Sequence, residues 1–307
     1  MPCFHPQQVW LTDDGIKFYN PYSDNRNHKG FKIPCRKCTG CRLEYSRQWA
    51  MRIYHEHTLW TPNNIFVTLT YDNKHLPKLG KKGNLIKKDF QDFMKRLREP
   101  NLELKWHPPK PIRYFHAGEY GEKNDRPHYH AVIFNCNFSD RKPLKGFKGL
   151  STSETLNSIW GKGYSSIGDV TFESASYVAG YIQKKITGKL KDSHYAVIDP
   201  KTGEYFGQRQ QEYATMSRRP GIAGLWLAQH KSDIYPSDNI HINGREMRPP
   251  KYYDRLYEID NPDIMSEIKK NRKEHMQQNA HLHTPEALAQ AKLNLKARMS
   301  IYKRGKL

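Results

Sequence analysis

Apolar positions along this chain recur with two periods, and the switches between them mark the elements. Alternation of apolar and polar residues predicts a half-buried strand, whereas recurrence at three and four predicts an amphipathic helix. Val9-Trp10-Leu11-Thr12 and Ile16-Lys17-Phe18-Tyr19 flank Asp13-Asp14-Gly15, a hairpin signal. A helix is predicted from Arg42 to about Leu59, studded with Arg42, Arg47 and Arg52. Ile65-Phe66-Val67-Thr68-Leu69-Thr70-Tyr71 is β-branched and aromatic and reads as a strand, with Thr68 and Thr70 on one face. Phe90, Phe93, Met94 and Leu97 recur at i, i+3, i+4 and i+7 and predict a core-facing helix over 87–98. Residues 113–120 and, after Pro127, 128–134 read as two strands joined by a polar, turn-rich loop from Gly121 to Pro127. Ser151-Thr152-Ser153-Glu154 is a capping box opening a short helix that ends near Trp160. A strand from Gly163 to Phe172 precedes a helix capped by Ser174. Asn261-Pro262 and Thr284-Pro285 open two terminal helices, about 263–278 and 286–299.

The order strand, helix, hairpin, helix, strand, helix predicts an α+β fold, a sheet with helices packed on one face. Three segments are expected: a cysteine-containing hairpin and helix over 1–60, a core over 61–190, and a basic helical extension over 191–307.

Candidate chemistry centres on Arg126-Pro127-His128-Tyr129-His130-Ala131-Val132-Ile133-Phe134. On a strand His128 and His130 point the same way, and a strand holds such a pair of metal ligands at fixed separation. Glu119, near the loop end of the preceding strand, lies opposite them. Two imidazoles and a carboxylate suit Mg²⁺ or Mn²⁺ holding a phosphate oxygen. Glu122, in the loop, is the competing carboxylate. Tyr177 and Tyr181 stand one helical turn apart, with Lys184 and Lys185 on the next turn. A cation or metal beside a tyrosine lowers its pKa and activates it as a nucleophile. With two tyrosines, one can cut a strand and the other receive it later.

His-hydrophobe-His on a strand followed by a tyrosine helix resembles the HUH endonucleases that start rolling-circle replication. The wider set GEYG…RPHYHAVIF…YVAGYIQKK, preceded by IPCRKCTGCRLEYSRQWAMR, is similar to the gokushovirus (Microviridae) replication initiators, of the two-tyrosine type. This resemblance implies an RRM-like or ferredoxin-like antiparallel sheet with the metal on its open face. It makes His128 and His130 metal ligands, with Glu119 as the third, and Tyr177 and Tyr181 the nucleophiles. It also implies a 5′-phosphotyrosyl link to single-stranded DNA at the replication origin of a circular viral genome. A host helicase and polymerase would be partners, and the host cytoplasm the setting.

Composition agrees with a polyanionic partner. Lysine and arginine number 51 against 31 acidic residues, a net charge of +20, which favours phosphate contacts through counterion release. Aromatics are 12% of residues, 19 of them tyrosines, and offer stacking surfaces for unpaired bases. Arg42 and Arg47, and Arg218 and Arg219 in a basic turn, are candidate DNA contacts. No apolar run approaches the roughly 18 residues of a membrane span, and the first residues carry no signal-peptide pattern. The alternative to an enzyme is a basic single-stranded-DNA-binding or packaging protein. It accounts for charge and aromatics but not for the order of histidines and tyrosines.

Cys35-Arg36-Lys37-Cys38-Thr39-Gly40-Cys41 places three thiols at intervals of three, and Cys3 could supply a fourth, or His5 in its place. A structural tetrahedral Zn²⁺ site, an iron–sulfur cluster and free thiols all fit this spacing. Cys136 reads as a small buried residue.

Overall fold

Seven antiparallel strands form the central sheet of this computed structural model, which describes residues 3–22, 30–99, 111–121, 124–181, 186 and 188–301. Lys184, Lys185 and Glu122 fall outside the described residues.

In chain order the elements begin with β1 (Gln7–Thr12), β2 (Gly15–Lys17), β3 (Phe31–Ile33), α1 (Thr39–Thr58), β4 (Asn64–Tyr71), β5 (Lys78–Leu79), β6 (Lys82–Gly83) and α2 (Lys87–Leu97). Then come β7 (Arg113–Tyr120), β8 (Pro127–Phe134), β9 (Lys142–Pro143), β10 (Ser151–Thr152), α3 (Glu154–Trp160), β11 (Gly163–Gly168) and α4 (Phe172–Tyr181). The remainder comprises α5 (Lys191–Tyr195), β12 (Ala196–Ile198), β13 (Tyr205–Gln208), β14 (Tyr213–Met216), α6 (Gly224–Ile234), β15 (Ile240–Ile242), β16 (Arg245–Met247), α7 (Lys251–Asp260), α8 (Pro262–Gln278) and α9 (Pro285–Ile301). The chain divides into two compact units, residues 46–253 and residues 1–45 with 254–307.

In the larger unit the strand order is β14-β7-β8-β4-β11-β10-β9. The fold is α+β, but helices cover both faces of the sheet rather than one. On the first face Ile65, Val67, Leu69, Tyr129, Ala131 and Ile133 pack with Phe90, Phe93 and Leu97 of α2 and Leu156 and Trp160 of α3. On the second, Phe115, Val132 and Phe134 pack with Ala50 and Ile53 of α1 and Ala175, Val178 and Ala179 of α4. The reason is visible in β8, where residues pointing either way are apolar in its last four positions, so both faces need cover. A buried ion pair ties the second face together: Glu56 of α1 accepts from Arg113 Nε at 2.5 Å and from Trp60 Nε1 at 3.1 Å.

Two predicted caps are displaced. Ser153, not Ser151, caps α3, accepting from the Leu156 amide at 3.0 Å while donating to Asp140 at 2.6 Å. Ser151 and Thr152 instead extend the sheet as β10. The strand expected to reach Phe172 ends at Gly168, and α4 starts two residues before Ser174. Thr171 caps it, by a reciprocal pair of bonds: Ser174 N to Thr171 Oγ1 at 3.1 Å and Thr171 N to Ser174 Oγ at 2.8 Å. Among terminal caps, Thr284 accepts from the Ala287 amide at 3.2 Å, while the Asn261 side chain turns back to the Tyr257 carbonyl.

In the smaller unit β2-β1-β3 form a separate three-stranded sheet. Arg272 of α8 there grips Asp254 of α7 with two bonds of 2.8 and 3.0 Å.

Candidate active site

Register explains the site. β8 lies between β7 and β4, with Glu119 and Thr70 opposite His128, and Ala117 and Thr68 opposite His130. Directly paired residues of antiparallel strands share a face. Glu119, His128, Thr70 and, one strand further, Tyr164 of β11 therefore form one row across the second face. His130, Thr68 and Ser166 form the next.

The threonines fix the imidazoles. Thr68 Oγ1 lies 3.0 Å from His130 Nδ1, and Thr70 Oγ1 lies 3.0 Å from His128 Nδ1. With both Nδ1 atoms engaged, the Nε2 atoms are the ones turned to the site. His130 Nε2 lies 3.1 Å from Glu119 Oε1, and both side chains are buried. His128 is half-buried, its ring centroid 6.4 Å from that of His130. Gly121 leaves room beside it, since a Cβ there would come within 3.0 Å of His128 Nε2. Two imidazole nitrogens and a carboxylate are donors of the types that bind divalent cations, with Glu119 in contact with His130 and opposite His128 in the register.

α4 brings both tyrosines against His130. The Tyr181 ring stacks on His130, centroids 4.5 Å apart and 10° from parallel. Tyr177 stands edge-on to His130 at 5.7 Å and to Tyr181 at 4.8 Å. Phe66 of β4 backs Tyr177 and His130. The anchor for α4 is partly polar: Ser46 Oγ donates to the Ala179 carbonyl at 2.8 Å. The environments of the tyrosines differ. Tyr181 is buried, and burial, the Glu119 charge and hydrogen bonds to Tyr177 and Glu119 push its pKa well up. Tyr177 is only half-buried.

His116, on the same strand as Glu119, faces the opposite side. It stacks on Phe90 at 3.4 Å, and burial together with the His130 charge pulls its pKa well down. Sequence reasoning places Thr68 and Thr70 on one face and reads them as sheet packing or a DNA contact, not as partners of the histidines. The signal was their shared face, which needed the β4–β8 register to become informative.

Other expected site residues are scattered. Arg47 donates to the Arg248 carbonyl at 3.0 Å and touches Met51 Sδ. Arg52 is buried against Trp49 and Tyr252, donating to the Ile222 carbonyl. Arg42 is half-buried in the first turn of α1, and Arg218 and Arg219 are exposed. In the smaller unit, Cys3, Cys35, Cys38 and Cys41 converge, every sulfur within 4.8 Å of the others. His5 stands apart, accepting from Lys292 Nζ at 3.0 Å. Cys136 is buried, as expected.

A sheet carrying paired histidines under a tyrosine helix defines a class, and sequence comparison gives the family. The profile described as replication-associated protein ORF2/G2P matches residues 64–186, which span β4 through α4. The replication-associated protein VP4 of Bdellovibrio phage phiMH2K is 33% identical over 269 residues, 86% of this chain and 79% of that protein. The replication-associated protein ORF2 of Spiroplasma virus 4 is 34% identical over 277 residues, 84% of this chain and 81% of that protein. The replication-associated protein ORF4 of Chlamydia phage 1 is 32% identical over 235 residues, 74% and 53% respectively. No solved structure matches. The chain belongs to the family of phage replication-associated proteins. Among the described residues, no helix is long and apolar enough to cross a membrane.

Proposed function

We propose that this chain initiates rolling-circle replication by cutting and rejoining single-stranded DNA at a viral origin, through a phosphotyrosine link. The observation that carries the reading is the stacking of Tyr181 on His130, with Tyr177 edge-on to both and Glu119 in contact with Tyr181 and His130. When bound by His128, His130 and Glu119, Mg²⁺ or Mn²⁺ supplies Lewis-acid polarisation of the scissile phosphate.

Thr68 and Thr70 hold the two Nε2 atoms toward that phosphate. A tyrosine oxygen attacks phosphorus, its bond to phosphorus forms, and the bond from phosphorus to the 3′ oxygen breaks. The tyrosine loses its proton and the departing oxygen gains one, leaving a free 3′-OH for a polymerase. For Tyr181 the Glu119 carboxylate is a proton acceptor already in contact. Without such an acceptor its raised pKa keeps the hydroxyl protonated. The tyrosyl phosphodiester conserves the energy of the broken bond, so rejoining needs no ATP. The net charge of +20 supports a DNA strand as the substrate.

The test is incubation with labelled single-stranded viral DNA and Mn²⁺, followed by a denaturing gel and peptide mapping. A protein-linked fragment on Tyr177 or Tyr181, absent from the Tyr177→Phe/Tyr181→Phe variant and from chelated samples, is the expected result. An adduct on another residue that persists in the double variant overturns the reading.

A further inference from the structure

We propose that Cys3, Cys35, Cys38 and Cys41 hold one structural zinc ion, separate from the histidine site. Four sulfurs around one ion, each about 2.3 Å from it, stand roughly 3.8 Å apart in a tetrahedron. The sulfurs here all lie within 4.8 Å of one another, with Cys38 Sγ and Cys3 Sγ at 3.9 Å. In a cubane cluster each thiolate ligates a different iron, which holds the sulfurs farther apart than two metal–sulfur bonds. The geometry therefore points to a single ion.

The surroundings are built for thiolates. The Cys35 amide donates to Cys3 Sγ at 3.2 Å, the Cys38 amide to Cys35 Sγ at 3.3 Å, and the Phe4 amide to Cys38 Sγ at 3.4 Å. Amide donors of this kind disperse negative charge on metal-bound sulfur. Cys38 precedes the first residue of α1 and Cys41 lies in its first turn, where the helix dipole also favours thiolate. Exposed Arg36 and Lys37 offset the double negative charge of a tetrathiolate zinc centre.

The small sheet has need of a clasp. In β1, β2 and β3, Val9 is fully buried, while Leu11, Ile16 and Phe31 are exposed. A three-stranded sheet with so little apolar burial does not hold its register by its own core. The cysteines join the chain just before β1 to the segment after β3 and the first turn of α1. One zinc ion thus closes the sheet onto the start of that helix and contributes its binding energy to folding.

Elemental analysis of full-length protein, purified without added metal and dialysed against EDTA, should find about one zinc per chain. X-ray absorption should show sulfur alone in the first shell, at about 2.3 Å. Because Cys38→Ser and Cys41→Ser could misfold, the wild-type protein is also titrated with an organomercurial, which should release zinc in step with four thiols. His128→Ala/His130→Ala should keep its zinc, so failure of the nicking reading leaves this result intact. Protein without zinc, protein with iron in its place, zinc bound through nitrogen or oxygen, or zinc retained after those thiols are blocked each overturns the proposal.

Discussion

Replacing Thr68 and Thr70 by valine tests the active-site reading without touching a ligand or a nucleophile. Valine preserves the β-branched shape that suits the strand and removes one 3.0 Å contact to an imidazole Nδ1 at each position. His130 is 6% exposed, so its Nδ1 would be left with little access to water. An unsatisfied buried polar atom costs about 1–3 kcal/mol. His128 is half-buried, and water can replace the lost hydroxyl there. Losing an outer partner of a metal-bound histidine weakens metal binding about 10–100-fold, or roughly 1.4–2.8 kcal/mol. Thr68→Val should sit at the upper end and Thr70→Val at the lower. The assay is a Mn²⁺ titration of nicking rate, with calorimetric Mn²⁺ binding alongside. Half-saturating Mn²⁺ should rise while affinity for single-stranded DNA holds. Thr68→Ser, which keeps the hydroxyl, should restore wild-type behaviour. A Thr68→Val/Thr70→Val protein that is folded and saturates at the wild-type Mn²⁺ concentration would refute the argument that these hydroxyls position the ligands.

Three other outcomes are expected. Tyr164 is 71% exposed and lies in the same row as Thr70 and His128, so it offers a stacking surface for a base beside the scissile phosphate. Tyr164→Ala should lose about 1–3 kcal/mol of single-stranded DNA binding and Tyr164→Phe should not; equal affinity for wild type and Tyr164→Ala removes the platform. Burial, with the charge of His230, holds His55 down to about 3 from an ordinary 6.5. The unfolded chain takes up that proton first, so this contribution to stability is full above about pH 6.5 and falls by up to about 1.4 kcal/mol per unit toward about pH 3. Unfolding free energies from urea titrations at pH 7.5 and pH 5 should differ by about 2 kcal/mol more in wild type than in His55→Phe, and equal differences refute the assignment. Of the two single tyrosine variants, Tyr181→Phe should keep the faster first cut, measured as a single-turnover rate; a faster Tyr177→Phe reverses the order.

Much of this arrangement is readable from residue patterns, and the unreadable part has physical causes. The periods of 65–71, 87–97 and 127–134 reveal the strand, helix and strand that build the first face, because each buries a continuous apolar stripe. Alternation alone sets His128 beside His130, and the short loop sets Glu119 across from them. The cover on the second face is not local information. Ala50, Ile53, Ala175 and Val178 belong to helices far apart in the chain, whose convergence on Phe115 and Val132 is tertiary. β14 is equally hidden, a four-residue strand whose place beside β7 depends on pairing about a hundred residues away. The caps show the limit on the smallest scale. Ser151 and Ser153 are both capable of capping, and the choice falls to Ser153 because Asp140 accepts its proton and the sheet claims Ser151.

The same distinction bears on the tyrosines. Spacing by four makes Tyr177 and Tyr181 neighbours on one helix face, and symmetry of roles would be the natural expectation. Packing removes the symmetry. Tyr181 is the residue pressed flat on His130, with its hydroxyl held by Glu119 and Tyr177. Its proton can leave only through groups of the site itself. Tyr177, half-buried and edge-on, keeps a hydroxyl that can meet a phosphate arriving from solvent without first breaking a contact to Glu119. A reaction that must begin on one strand and finish on another needs two nucleophiles that do not compete for the first phosphate. In the proposed reaction, placing one half-exposed and one against the carboxylate would separate them in accessibility, and so in order. Transfer of the strand to Tyr181 in that reaction would require its hydroxyl to exchange its present partners for the phosphate, which would couple that second step to the state of Glu119.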